Sequence, residues 1–347
     1  MQLEQANKLS HFGHFPGSRF MGSKNKIIDS IWVILQEYHF NSFYDAFAGS
    51  NVVGYFMKCQ GKQVYSNDFM TISQLAAKAI IENQQVTVDA SEIESLLSPV
   101  VKGGFVSRNF KGLYFTDAEN ELLDTIRCNA DHLDDEYKKA IVISALVRAC
   151  MKKRPRGIFT FVGHRYDDGR ADIKKTLLDH FLENIEIYNN AVFDNGTVCK
   201  AYNLQTQEFR LAADLIYFDP PYFTPNSDND YVRRYHFVEG LAKNWEGLIL
   251  QDHTLTKKFK SYTSPFANKK LTYEAFDQLF YNFRDSKLAV SYSSNSLPNK
   301  SEMIDMLKKY KQNVAVHEID HLYSFGNQQH RVGNNANRVK EYLFVAY

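Results

Sequence analysis

The 347-residue chain predicts an α/β fold: a doubly wound, mostly parallel sheet with a mainly helical module inserted into it. Three observations carry that expectation. Strand-like and helix-like runs alternate over the first 85 residues, the order that lays parallel strands side by side with helices on both faces. From about 86 to 194 helical periodicity dominates. Strand patterning then returns, including "ADLIYF", an apolar run that ends abruptly in "DPPY".

In chain order, "GSKNKIIDSIWVILQEY" has helical apolar spacing, and "FNSFYDAFAGS" reads as a strand running into a small-residue turn. "NVVGYFMKCQ" is the next helix, "KQVYSNDF" a second short strand and "MTISQLAAKAIIEN" another helix. "DAENELLDTIRCNADHL" and "DEYKKAIVISALVRACMKKR" follow as helices, broken by the irregular pieces "VKGGFVSRNFKGLYF" and "RPRGIFTFVGHRYDDGR". "GTVCKAYNL", "ADLIYF", "SKLAVSYSS", "NVAVHEID" and "EYLFVAY" read as strands. The expected organisation is one discontinuous α/β domain, 15–85 plus 195–347, interrupted by a module at 86–194 suited to specificity.

Lys and Arg (41) nearly cancel Asp and Glu (40), so bulk charge announces no polyanionic partner and local clusters must decide. Cys59, Cys128, Cys150 and Cys199 form no CxxC pair, which points away from a disulfide framework or zinc ribbon. The N-terminus lacks the basic start and apolar core of a signal peptide, and no apolar run approaches membrane-spanning length. These features lead to the expectation of a cytoplasmic protein without a membrane partner.

"YDAFAGSNVVG" places an acid and small residues between a strand and its helix, where a doubly wound sheet binds nucleotide-like ligands. Asp68 ends the next strand, twenty-three residues after Asp45, close to the offset of an acid that takes ribose hydroxyls. The loop is not GxGxxG: Asn51 stands where a pyrophosphate loop would want glycine. A ligand with a ribose and no diphosphate fits better than a dinucleotide. Upstream, "RFMGSKNK" sets Gly22 and Ser23 at the expected start of a helix, whose free N–H groups suit a carboxylate.

In "DPPY" the prolines stop the strand, because they donate no ladder hydrogen bond. Asp219 therefore emerges at the same sheet edge as Asp45 and Asp68. Its carboxylate can accept a hydrogen bond from an exocyclic amino group, the Pro220 and Pro221 carbonyls remain free to accept, and Tyr222 offers a flat face for a planar base.

"DPPY" after an apolar strand, "FAGS" in the first loop and "RFMGSKNK" near the N-terminus occur in that order, and with them the chain resembles the D12-class, Dam-like DNA adenine-N6 methyltransferases of the α arrangement. The resemblance runs from about residue 17 to the C-terminus. It implies a Rossmann-like methyltransferase sheet, an inserted target-recognition domain, S-adenosylmethionine as methyl donor and duplex DNA as substrate. Carried over, Gly22, Ser23 and Lys24, with Phe20 beside them, would hold the methionine end. Asp45, Phe47, Ala48 and Gly49 would line the cofactor, and Asp68 would bind its ribose. Tyr202 or Asn203 falls where the family contacts the cofactor's adenine. Asp219, Pro220, Pro221 and Tyr222 would form the catalytic motif around a flipped adenine. The implied role is the modification enzyme of a restriction–modification system, a monomer working beside a separate endonuclease, of prokaryotic or phage origin. An RNA-adenine or cytosine-N4 methyltransferase, or a silent nucleic-acid-binding subunit, are the alternatives; Asp before "PPY" disfavours cytosine-N4 in this pattern.

Local charge clusters in the inserted module, where Arg148, Lys152, Lys153, Arg154, Arg156, Arg165 and Arg170 fall within 23 residues. Such a patch suits phosphate contacts. Beyond "DPPY", Tyr231, Arg233, Arg234, Tyr235 and His236 form a candidate loop over the flipped base or its phosphates. "HEIDH" (His317–His321) matches a zinc-protease pattern that needs a helix, yet its surroundings alternate like a strand, which would hold the two imidazoles roughly 13 Å apart. No metal site is therefore expected.

Overall fold

The computed structural model describes residues 10–100, 103–163, 169–224, 230–262, 264–322 and 338–347. A 3-10 turn at Lys24–Lys26 leads into α1 (Ile28–Leu35), β1 (Ser42–Asp45), α2 (Val52–Cys59), β2 (Gln63–Asn67) and α3 (Thr71–Ala77), which runs on into a π turn at Lys78–Glu82. Then come α4 (Ala90–Leu97), α5 (Phe105–Asn109), α6 (Asp117–Ala130), α7 (Glu136–Lys153), α8 (Ala171–Lys174) and α9 (Leu177–Ala191). The chain closes with β3 (Lys200–Tyr202), β4 (Leu215–Phe218), α10 (Tyr231–Ala242), α11 (Lys269–Asn282), β5 (Lys287–Ser293), α12 (Lys300–Lys308), β6 (Val314–Leu322) and β7 (Arg338–Ala346). Two local expectations shift: the first helix is preceded by a tight turn that carries Lys24, and the irregular "VKGGFVSRNFKGLYF" contains α5.

The strands form one sheet in the order β3-β2-β1-β4-β5-β7-β6. β3, β2, β1, β4 and β5 are mutually parallel, and β7 runs antiparallel between β5 and β6. Side chains on a strand alternate between faces, and here both faces are dry. Phe43, Leu215, Tyr217 and Ala289 enter one core, together with Ile31, Leu35, Val53 and Phe56 of α1 and α2. Their neighbours Tyr44, Ile216, Phe218, Leu288 and Val290 enter the other, with Phe276, Leu279 and Phe280 of α11 and Met303 and Leu307 of α12. That two-faced burial explains why "LIYF" is apolar at every position rather than alternating.

The helical segment shares the first core: Ile141, Leu146 and Cys150 of α7, and Phe181 and Ile185 of α9, belong to the same continuous cluster as the sheet. α7 is buried nearly all round from Ala140 to Met151, as a central helix of such a layer must be. No helix among the described residues is long and apolar enough to cross a membrane. "HEIDH" lies within β6, the strand its alternation predicted.

Candidate active site

Strand order reverses between β1 and β4, the switch point where ligands bind beyond the carboxyl ends of an open α/β sheet. Register does the rest. Asp45, the last residue of β1, pairs with Tyr217 on one side and Ser66 on the other. Asp219 and Asp68 each lie two residues beyond those partners, so three carboxylates from distant segments meet along one edge.

Burial penalises the charged form of all three. It pushes Asp45 up to about 8, with the charges of Asp219 and Asp68 adding to the rise. Asp68 rises to about 7 through burial, although the backbone N–H groups of Met70 and Gly49 donate to it at 2.8 Å each and pull the other way. Asp219 rises to about 6, because burial outweighs the Lys24 ammonium beside it. Asp45 Oδ1 is buried without a hydrogen-bond partner among the described residues.

The loop between β1 and α2 holds its shape through Asn51, which takes the left-handed conformation (φ 64°) at the start of α2. Asn tolerates that region better than most residues. Its amide is fixed as well, donating to Ser73 O at 2.8 Å while its carbonyl accepts from Ser66 Oγ at 2.9 Å. The departure from glycine is therefore accommodated. Gly49, at φ 48°, lies under the Phe20 ring, where an added Cβ would stand 3.1 Å from Phe20 Cε1. Phe20 in turn stacks on Tyr235 (centroids 5.0 Å) and Tyr231 (5.8 Å).

Around Asp219 the "DPPY" turn is pinned to the end of β5. Phe223 N donates to Tyr292 Oη at 3.3 Å, and Leu297 N donates to Phe223 O. Tyr222 is half-buried, meets the Tyr292 ring edge-on at 4.9 Å, and donates its hydroxyl to Asp219 Oδ1 at 2.9 Å. Lys24 is almost fully buried and lies 2.7 Å from both Asp219 oxygens. Burial works against its charge, yet Asp219 and Glu341 outweigh it and hold the ammonium above its ordinary pKa. Lys24, a candidate for the methionine end of a cofactor, thus lies against Asp219. Gly22 adopts φ 75° against Tyr231 Oη, and Ser50 Oγ donates to Ser23 Oγ at 3.0 Å.

Of the remaining cofactor candidates, Phe47 packs edge-on to Phe266, Ala48 is buried with its N–H on Asn67 O, and Tyr202 packs on Phe209. Asn203 Nδ2 donates to Asp68 O at 2.8 Å. Pro220 is buried, and Pro221 lines a small cleft with Phe69, Tyr231, Tyr262 and Ser264. Sequence reasoning missed Tyr262 and Glu341: neither belongs to a motif, and each reaches the site only through tertiary packing.

The basic and aromatic candidates for nucleic-acid contact separate into two groups. Arg154 is buried and donates to Phe161 O (2.7 Å) and Gly163 O (3.2 Å), so it holds the chain after α7 rather than phosphate. His236 is buried against Tyr114 and Thr256 O, and Tyr235 is buried under Phe20 with its hydroxyl on the backbone of Arg19 and Met21. These three correct the surface expectation: α7 and α10 bury most of their circumference, so Arg154 just after α7, and Tyr235 and His236 in the middle of α10, turn inward to backbone groups. Lys153 is turned inward too, toward Glu119 at 3.0 Å and the carbonyls of Ile173 and Lys175. Arg156 is exposed, and Lys152, Arg170, Tyr231, Arg233 and Arg234 are half-buried. Arg165 lies outside the described residues.

The chain is 28% identical over 334 residues to the type II methyltransferase M2.HphI of Haemophilus parahaemolyticus, covering 91% of this chain and 95% of that protein. It is 24% identical over 348 residues to the type II methyltransferase M.CviAII of Paramecium bursaria Chlorella virus 1, covering 94% and 98%. It also matches the modification methylase StsI of Streptococcus sanguinis at 26% identity, where 84% of this chain spans 46% of the longer protein. Residues 20–306 match the family of D12 class N6 adenine-specific DNA methyltransferases, and with most of its length so matched the chain belongs to that family.

Proposed function

We propose that the chain transfers the methyl group of S-adenosylmethionine to N6 of an adenine turned out of duplex DNA, at a specific site, as the modification enzyme of a restriction–modification system. The observation that carries this reading is the position of Asp219: a half-buried carboxylate at the sheet's switch point, with Tyr222 beside it and Asp45 and Asp68 along the same edge.

The residues present fit the donor. Asp68 beside the Gly49 backbone offers a polar edge suited to ribose hydroxyls, the unpartnered Asp45 Oδ1 suits a donor group, and the acid-rich edge suits a cation. S-adenosylmethionine supplies, when bound, an electrophilic methyl on a positively charged sulfur. Asp219 and the Pro220 carbonyl accept hydrogen bonds from the adenine amino group, which draws the nitrogen lone pair away from the ring. Tyr222 supports the base by its face. N6 must shed one proton as the methyl arrives, and Asp219 is the nearest acceptor. Positioning and charge placement therefore do the work, without a covalent enzyme intermediate.

The segment 86–194 serves as the target-recognition domain of a monomer, with the endonuclease a separate protein. The exposed Arg156, with Lys152, Arg170, Arg233 and Arg234, is the phosphate-contacting set. Incubation with plasmid DNA and labelled S-adenosylmethionine, followed by mapping of modified bases, tests the whole reading. Label should sit on adenine N6 at one sequence, and Asp219→Ala should lose at least a thousandfold in rate while the protein still folds. Full-rate transfer by that variant, or label confined to cytosine or RNA, would overturn it.

A further inference from the structure

Glu341 lies in the middle of β7, paired with Ser293 and Ile319, and its side chain is completely buried. It falls outside the residues that match the family. Ser291 Oγ donates to it at 2.7 Å, the Tyr222 hydroxyl touches it, and Lys24 Nζ lies 3.6 Å away. Lys24 thus stands between two carboxylates, closer to Asp219 (2.7 Å) than to Glu341.

We propose that Glu341 is a positioning residue for methyl transfer: it is the second seat of the Lys24 ammonium, which moves toward it when the amino group of the target base takes Asp219. This rests on the proposed role of Asp219. In the structure the ammonium straddles both Asp219 oxygens, and Tyr222 also donates to one of them. An incoming amino group needs one of those oxygens. A buried ammonium stripped of its counter-ion is strongly unfavourable, so Lys24 cannot yield Asp219 unless another carboxylate receives it. Among the described residues Glu341 is the other carboxylate within ion-pair distance of Lys24. The shift required is about 1 Å, within the reach of a flexible lysine stem.

The groups facing this centre are Lys24 before α1, Asp45 at the end of β1, Tyr217 on β4, Asp219 and Tyr222 in the turn after β4, Tyr231 on α10 and Glu341 on β7. The tyrosine hydroxyls of Tyr217 and Tyr231 are held well above their ordinary range by burial and stay neutral. Glu341 raises the pKa of Asp219 and Lys24 lowers it. In Glu341→Gln the ammonium is left to Asp219 alone, so Asp219 should ionise at lower pH yet be harder to free.

The test is single-turnover methylation against pH for wild type, Glu341→Gln and Glu341→Asp, with S-adenosylmethionine affinity by calorimetry and thermal unfolding alongside. Glu341→Gln should lose about tenfold in the plateau rate and move the acidic limb down by about half a pH unit, with donor affinity within twofold. Glu341→Asp keeps the charge but withdraws it from Lys24, and should show the same changes at smaller size. It also carries the test if the Gln variant fails to fold. A Gln variant with wild-type rate and acidic limb overturns the inference. So does a rate loss with an unmoved limb that follows the melting temperature in both variants. An inactive wild type, or a fully active Asp219→Ala, would instead strike the proposed function itself.

Discussion

Replacing Arg154 with alanine separates the two meanings a basic cluster can have. Arg154 makes two well-formed charge-assisted hydrogen bonds, to Phe161 O at 2.7 Å and Gly163 O at 3.2 Å, and a marginal one to Tyr114 O at 3.5 Å. Its guanidinium also sits 5.2 and 5.1 Å from the ring centroids of Tyr114 and Phe161. Each good bond to a charged group contributes about 1.5–3 kcal/mol, and each ring contact about 0.5–2 kcal/mol. The cost of keeping that charge out of water disappears with it and offsets part of the loss. A net destabilisation of about 3 kcal/mol remains. With about 2.1 cal/mol/K of unfolding entropy per residue, a 347-residue chain should melt about 4 °C lower. The companion variant is Arg156→Ala, two residues on, whose side chain is exposed. DNA affinity measured across a salt series should keep its slope in Arg154→Ala, whereas each lost phosphate contact in Arg156→Ala should flatten it by about 0.9. An Arg154→Ala protein with the wild-type melting temperature and a flattened salt slope would refute the inward assignment.

Three further outcomes follow from the acid edge and its loop. Asp45 and Asp68 ionise in the free protein only near pH 8 and 7, so binding S-adenosylmethionine at pH 7, which favours their charged forms, should release protons. Calorimetry in phosphate and in Tris should then give different heats, and equal heats would count against it. The same raised values stabilise the unliganded fold fully below about pH 4, and that contribution fades as pH climbs through 7 and 8. The melting temperature of the free protein should fall over that window, while the gap to the donor-loaded protein widens. Gly49→Ala places a Cβ 3.1 Å from the Phe20 ring at a backbone φ of 48°. The left-handed conformation alone costs about 1–2 kcal/mol for a residue with a Cβ. A melting temperature lower by about 2 °C and weaker donor binding should result, and wild-type behaviour in both would remove the close approach from the site.

Much of this architecture was legible before any coordinates. "FNSFYDAFAGS", "KQVYSNDF" and "ADLIYF" declared themselves as strands ending in acids, because prolines and small residues punctuate a parallel sheet at fixed places. Asp45, Asp68 and Asp219 could be gathered at one edge on topology alone. The basic cluster misled at Arg154, since spacing along a chain carries no information on which side of a buried helix its end will face. "SDNDYVRRYHFVEGL" misled at Tyr235 and His236 for a related reason: from Tyr231 on it forms α10, a helix buried over most of its surface.

The sequence by itself determined the parallel strands, their ends and the "DPPY" turn of Asp219 to Tyr222, because local periodicity and proline chemistry act over a few residues. Only the tertiary structure decided what Asp219 faces. Lys24 reaches it across 195 residues of chain, and Glu341 reaches Lys24 from a strand whose apolar run disguises a buried carboxylate. Ion pairs across such distances leave no period in the sequence, because the sheet's register rather than residue spacing brings their partners together.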